Sequence, residues 1–417
     1  MGVITLSSGI LIKFYREKKE LTQEELGKGI CSVTHISKIE RGNTQYSPEI
    51  THLLSKKLGI DLKKEMQSLQ KYERLLDQWL DSMVLQQKSE IERLKNEVEE
   101  NALFLIQSVK NKYFLLQSRY YLLEGNITQA EILLDKMKKH RKELNAYEIH
   151  LLHHLLGITE VLKGDFKKAL EYLLEINEKE YLNHEFFYQI AIAYHNLHFK
   201  VKAYYYSELA LDYFRKTNNF KKVIDAETIK LINEGRNELW NFEDLVDRYN
   251  RLIAQCDILN ETSKKAALLS NLAYEHSYAG DNENAKKYYE KTLSLLGKNK
   301  NSPTYLNNLI GYVYCCLHIE GDQDEQQLKQ LIEIGSQIAK DIHDQSSYQF
   351  FKMLSLLFEN KKNQYYQFIE EKIIPMLEEK GKHQQLQTYE RTMYQHYLEQ
   401  GNQEKALQYA SRLVQNC

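Results

Sequence analysis

Proline is almost missing from this chain. There are three in 417 residues, Pro48, Pro303 and Pro375. With few Val/Ile runs and abundant Leu, Lys, Glu and Gln, this excludes a strand-rich fold and predicts an all-α protein. Cysteine is also sparse: Cys31, Cys256, Cys315, Cys316 and Cys417 form no CxxC pair. That argues against a zinc ribbon or a secreted disulfide framework and favours a reducing cytosol. No apolar run approaches the length needed to cross a bilayer, and Gly9–Ile12 is too short for a signal core. Leu6 stands where N-myristoylation prefers Ser or Thr. The expected location is cytoplasmic.

Catalytic patterns are missing too. There is no HExxH, glycine-rich phosphate loop, GxSxG or Cys/His signature, so the expectation is a non-enzyme without cofactor. His150, His153 and His154 share helical spacing. They sit among leucines with Glu148 as the one nearby carboxylate, so no metal is expected. Cys315-Cys316 reads as helix packing. Net charge is −2 overall, but residues 1–65 hold eleven Lys/Arg against eight Asp/Glu. The remainder is acidic. A basic head suits nucleic acid, and so modest an excess calls for a dimer.

What is present begins with Leu21-Thr22-Gln23-Glu24-Glu25-Leu26, followed by Ser32-Val33-Thr34-His35-Ile36-Ser37-Lys38-Ile39-Glu40-Arg41-Gly42. Leu11, Ile12, Phe14 and Tyr15 give a first helix ending near Lys19. Thr22 and Glu25 form a capping box at the start of a second. Gly29-Ile30-Cys31 turns the chain, and Ser32 caps a third helix. Ser47-Pro48 opens a fourth helix that Gly59 closes, and a fifth short one begins near Asp61. Leu26, Ile36 and Ile39 point inward. Val33, Thr34, His35, Ser37 and Lys38, with Ser32, are left for base edges and phosphates, and Gln23 can meet a phosphate at a helix N-terminus. Glu40 and Arg41 fit an ion pair or cap as well as a DNA contact. The module resembles the repressor-type helix-turn-helix of the Cro/C1 class.

Residues 66–100 read as a linker helix, with Trp79 on its apolar stripe and a solvated charged run at Glu90–Glu100. From 101 to 417 a unit recurs. Gly125-Asn126, Gly164-Asp165, Gly280-Asp281 and Gly401-Asn402 are each followed, five residues after the glycine, by Ala130, Ala169, Ala285 or Ala406. Seven residues upstream stand Ser118, Gly157, Ala273 and Tyr394. This is the tetratricopeptide pattern, in which small residues let paired helices cross closely. Degenerate units fill the gaps, giving about eight helix pairs in a right-handed superhelix.

In such an array the first helix of each pair lines the concave face through its repeat positions 2, 5, 9, 12 and 13. The third pair supplies Glu185, Tyr188, Ile192, His195 and Asn196, and the fourth Lys230, Glu234 and Asn237. The fifth supplies Ala267, Ser270, Tyr274, Ser277 and Tyr278, with Asn271 alongside. The sixth supplies Asn308, Gly311, Cys315 and His318. The peptide-binding candidates are Tyr188, His195, Asn196, Asn237, Asn271, Tyr274, Tyr278 and Asn308. Asparagine both donates to and accepts from a peptide backbone, which suits an extended oligopeptide.

A helix-turn-helix followed by this array resembles the Gram-positive peptide-pheromone receptors, the Rap/NprR/PlcR group. The likeness is carried by Gly29–Val33 with Ser37-Lys38-Ile39-Glu40, by Glu185–Tyr188 through Tyr213, and by Ser270-Asn271-Leu272-Ala273-Tyr274. It implies a cytoplasmic quorum-sensing regulator that binds a double-stranded operator as a dimer or tetramer. A short, re-imported signalling peptide would alter the shape of the array and the spacing of two heads, which must sit near one DNA turn, about 34 Å, or a multiple of it. The alternative is a Rap-like protein acting on a phosphorelay response regulator. Gln107 and Gln117 lie in the corresponding region, but without the acidic setting of the Rap glutamine.

Overall fold

The computed structural model describes residues 2–42, 47–234, 241–297, 299–319, 321 and 324–415. All regular structure among them is helical. The chain divides into two compact units, residues 1–238 and 239–417.

The first unit opens with α1 (Gly2–Lys18), α2 (Gln23–Gly27), α3 (Val33–Glu40) and α4 (Pro48–Leu58). They pack α1 on α3 and α4, and α2 on α3 and α4. Leu11, Ile12, Leu26, Ile36, Ile39, Leu54 and Leu58 are fully buried between them. The caps fall where expected: the Thr22/Glu25 box, Ser32 before α3, Ser47-Pro48 before α4, and Gly59 after it at φ 64°.

The expected short fifth helix and separate linker are one element, α5 (Leu62–Val84), which runs unbroken through position 65. The reason lies in the sequence. The stripe Leu62, Leu69, Tyr72, Leu76, Trp79, Met83 keeps helical spacing with no Gly or Pro to interrupt it, and each of these residues is buried. Covering such a side chain contributes about 1.5–3 kcal/mol. Gln86, at φ 55°, ends the run and leads into α6 (Lys88–Glu99). There Ile91, Leu94 and Val98 are buried, while Arg93 bridges Glu90 and Glu97 on the wet side.

Helices α7 (Gln107–Leu123) and α8 (Ile127–Lys139), α9 (Ala146–Lys163) and α10 (Phe166–Leu173), and α11 (Phe186–Asn196) and α12 (Lys200–Lys216) are hairpins, and α13 (Phe220–Asn233) follows. First helices also stack on first helices, α7 on α9, α9 on α11 and α11 on α13. One continuous apolar core runs from Leu11 to Ala226, so the head, α5 and the first repeats share it.

The second unit holds α14 (Phe242–Ile258), α15 (Thr262–Tyr278), α16 (Asn282–Leu296), α17 (Pro303–His318), α18 (Glu325–Asp341), α19 (Gln345–Phe358), α20 (Lys362–Phe368), α21 (Ile374–Glu379), α22 (His383–Glu399) and α23 (Gln403–Gln415). A π turn, Ile369–Ile373, joins α20 to α21 just ahead of Pro375. The wider turn accommodates a residue that has no N–H and whose ring crowds the preceding carbonyls.

Hairpin turns in both units use one left-handed residue. Glycine serves at 125, 164, 280, 381 and 401; His198, Asn218, Asn260, His343 and Asn360 take the same place with φ between 54° and 63°. The alanines at 130, 169, 285 and 406 are buried as the repeat requires. Gly157 faces Leu173 so closely that a Cβ would lie 2.4 Å from its side chain.

Candidate nucleic-acid and ligand interfaces

In the head, α3 is held from behind. Glu40, almost fully buried, accepts from Arg16 Nε at 2.6 Å and Nη2 at 3.1 Å and from Gln23 Nε2 at 2.8 Å. Arg16 also donates to the Leu21 carbonyl at 2.8 Å. Hydrogen bonding to Glu40 is the main reason the Arg16 guanidinium holds its proton more firmly than usual. One buried carboxylate thereby ties α1, α2 and α3 together, which is the ion-pair role for Glu40. Arg41 is the C-cap of α3.

Forward of that network, Val33, Thr34 and Lys38 are exposed, and His35 and Ser37 are half-buried. Ser32 Oγ accepts from the His35 amide at 3.3 Å, so this candidate contact is also a structural cap. The side-chain amide of Gln23 is turned to Glu40 and not outward to a phosphate.

In the first unit, Tyr188 packs edge-on against Phe214, with Lys222 Nζ 4.5 Å from its ring centre. Burial, then Asp225 and Glu185, push its hydroxyl well above the ordinary phenol range. His195 Nδ1 lies 3.0 Å from Asn233 Nδ2. Asn196 is exposed and donates to the Ile192 carbonyl at 2.9 Å. Glu185 departs from its concave assignment. Its side chain is buried, with both oxygens on Arg119 Nη2 at 2.7 and 2.8 Å. Burial alone would raise its pKa, but Arg119, His154 and Lys222 outweigh burial and hold it below the usual range. Asn233 escaped the sequence reading, although its place opposite His195 follows from stacking α13 on α11. Asn237 lies outside the described residues.

In the second unit, Asn271 is half-buried, and its amide makes no hydrogen bond among the described residues. Tyr274 and Tyr278 follow it on α15, with ring centres 6.3 Å apart. Asn308 is buried; its Nδ2 donates to the Thr304 carbonyl at 2.8 Å, while Oδ1 has no hydrogen-bond partner among the described residues. Gly311 departs from its concave assignment, because a Cβ there would meet the Tyr289 ring at 2.4 Å. It is a close-crossing residue between α17 and α16 of the preceding pair. Tyr389 of α22 was not singled out from sequence. Its acidity is suppressed by burial first and then by Tyr365, Tyr314, Tyr274 and Tyr289, so phenols from five helices converge there. Arg391, two residues on, donates from Nη1 to Tyr278 Oη at 2.7 Å and lies 5.4 Å from that ring centre. The phase of the last repeat could have found it, since Arg391 stands three residues before Tyr394 and so at position 5.

Two of the three histidines have hydrogen-bonding partners. His154 is fully enclosed between Tyr181 Oη at 2.9 Å and Gln189 Oε1 at 3.4 Å, and His150 faces Glu180 at 3.2 Å. Among the described residues no group of three or more His, Cys, Asp or Glu is placed to hold a metal. No described helix is long and apolar enough to cross a membrane.

A helix-turn-helix head whose core runs into tetratricopeptide-like hairpins defines the class of protein. Residues 12–64 match the Helix-turn-helix family. Transcriptional activator NprA of Geobacillus stearothermophilus is 24% identical over 277 residues, covering 64% of this chain and 67% of that protein. The apo quorum sensor NprR from B. thuringiensis superposes with a TM-score of 0.66 at 23% identity, over 83% of this chain and 99% of that one. NprR in complex with its cognate peptide NprX gives 0.60 at 24% identity, over 82% and 98%. A Rap protein complexed with Competence and Sporulation Factor gives 0.63 at 15% identity, over 84% and 98%. By fold the chain is similar to the quorum sensor NprR and to a Rap protein, and its head matches the helix-turn-helix family.

Proposed function

We propose that the protein is a cytoplasmic quorum-sensing transcription regulator. It binds operator DNA as a dimer through α3 and is switched by a short imported oligopeptide held on the inner face of its repeats. The observation that carries this reading is the free outer face of α3. Val33 and Thr34 at the helix start and Lys38 in its last turn are exposed, while Glu40 is held by Arg16. A helix so presented fits a major groove, with Lys38 for phosphate and Thr34 for a base edge. The likeness to the transcriptional activator NprA, and to NprR in complex with a cognate peptide, supports the same reading.

Peptide sensing is supported in each unit by unspent polar capacity. Asn196 is exposed in the first; Asn271, and the orphan Oδ1 of Asn308, stand in the second. A buried acceptor left unmade costs about 1–3 kcal/mol, which a ligand N–H would recover. The test is a gel shift of full-length protein on the promoter DNA upstream of its own gene, with and without synthetic heptapeptides drawn from small exported open reading frames nearby. Thr34→Ala/Lys38→Ala should abolish the shift while leaving the melting temperature in place. Occupancy indifferent to both the substitution and every peptide would end the proposal.

A further inference from the structure

The inner face of the second unit carries a cation with no anion. Arg391 lies on α22, at repeat position 5 of the last pair, and Tyr278 at position 13 of the α15 pair, 113 residues earlier. These helices pack mainly on other partners. Helix α15 stacks on α14, α16 and α17, whereas α22 lies on α21 and α23. Two long side chains therefore reach toward each other from concave positions: a guanidinium rests on a phenol ring at 5.4 Å and donates one hydrogen bond to its oxygen. Arg391 is exposed, and no carboxylate among the described residues comes within ion-pair distance of it. Its neighbour in sequence, Glu390, is fully buried and committed to Arg412, which also pairs with Glu378.

A guanidinium has five N–H donors in a planar fork, and Tyr278 accepts one. The rest have the geometry of a carboxylate. Stacking on an aromatic face pre-orients the fork, so less freedom is lost when an anion arrives. The same two helices carry uncharged polar residues, Asn271 and Tyr274 on α15 and Tyr389 on α22. A guanidinium with no counter-charge among the described residues favours a ligand that brings one.

We propose that Arg391, seated on Tyr278, recognises a carboxylate of the bound oligopeptide, an acidic side chain or its free C-terminus. The proposal rests on the peptide-receptor reading above and adds the chemistry that the peptide must carry. Neutral peptides, and peptides amidated at the contacting group, are rejected there because they leave the guanidinium without its counter-charge.

The experiment pans immobilised full-length protein against a degenerate heptapeptide pool and identifies retained peptides by mass spectrometry. Their affinities are then measured with each carboxylate replaced in turn: Asp→Asn, Glu→Gln, or a C-terminal amide. The expected result is that one replacement weakens binding to the wild type by on the order of 10- to 100-fold. Which replacement does so separates a side-chain source from the C-terminus. On Arg391→Met, acid and amide forms should bind within about twofold of each other, the mark of a lost pairwise coupling. Arg391→Lys keeps the charge but not the fork and should restore part of the preference. It also serves if the Met variant folds poorly. Affinity indifferent to every carboxylate replacement, the C-terminal amide included, or an acid-to-amide ratio unchanged in both variants, overturns the carboxylate proposal and leaves the peptide receptor standing. A pool from which nothing is retained overturns both.

Discussion

Asn219 and Val84, 135 positions apart, are joined by a hydrogen bond of 2.9 Å from the asparagine Nδ2 to the valine carbonyl. Helix α5 ends there. The carbonyls of Asp81, Ser82 and Met83 are taken by the amides of Leu85, Gln87 and Gln86, and that of Val84 by this side chain. With its other atom, Oδ1, the same asparagine caps α13 by accepting from Lys222 N at 3.3 Å. One buried residue thus closes two helix ends, and α5 is the element whose own N-terminal half lies against the head. Asn219→Asp should keep the cap but set a carboxylate against a carbonyl. Asn219→Ala should lose both bonds. Each should destabilise the first unit by about 1–3 kcal/mol, read as a lower urea midpoint, with Asp the worse of the two despite being the better cap elsewhere.

Acid should weaken the protein through His154. Burial is the leading cause that drops its pKa to about 4, against Glu185, which pulls the other way. The unfolded chain binds a proton near pH 6.5, where the folded chain does not. Between those values the unfolded state holds more protons, so stability is complete above about pH 6.5 and is lost as pH falls toward 4. Over that window the loss is on the order of 3 kcal/mol. His154→Gln should flatten the urea midpoint measured from pH 7 to 4.5. A residual slope remains, because burial lowers His153 and His396 as well. An unchanged slope in the variant would show that the acid loss arises elsewhere.

Much of this molecule was legible in the chain. The capping box at Thr22, the cap at Ser32, the Ser47-Pro48 start and the glycine turns at 125, 164, 280 and 401 are local signals, and local chemistry decides them. The degenerate repeats were harder for a specific reason: asparagine or histidine takes the left-handed turn at 198, 218, 260, 343 and 360, so the glycine marker is missing while the geometry is kept. The run-through of α5 was hidden by a familiar five-helix template, although its apolar stripe never breaks. Side-chain fates depended on distant partners. Nothing near Glu185 in sequence announces Arg119, 66 residues earlier, and nothing near Tyr278 announces Arg391.

Close crossing at α16–α17 gives a packing test. Gly311 faces Tyr289, and a Cβ there would stand 2.4 Å from Cζ and 2.7 Å from both neighbouring ring carbons. Alanine gains roughly 1 kcal/mol of helix propensity over glycine. Overpacking against a rigid ring costs about 1–3 kcal/mol, so the net effect of Gly311→Ala should be a loss of up to about 2 kcal/mol. Tyr289→Leu should relieve it in the double variant, since a branched aliphatic chain can turn aside. Additive losses in thermal melts would show that the glycine is retained for another reason.

Ser32 carries two assignments, a helix cap and a DNA contact, and two substitutions separate them. Ser32→Ala removes the acceptor for the His35 amide and should cost about 1 kcal/mol of stability. Ser32→Asp restores an N-cap acceptor, with charge favourable to the helix N-terminus, and should melt at or above the wild-type temperature. On DNA the order changes. The aspartate places a negative charge beside phosphates and should weaken operator binding on the order of tenfold or more, while the alanine variant, once folded, loses less. Thr34→Ala serves as the reference, exposed and outside the cap. If Ser32→Asp binds promoter DNA as tightly as wild type at matched salt, the start of α3 does not face the duplex, and the outward residues Val33, Thr34 and Lys38 lose their assigned partner.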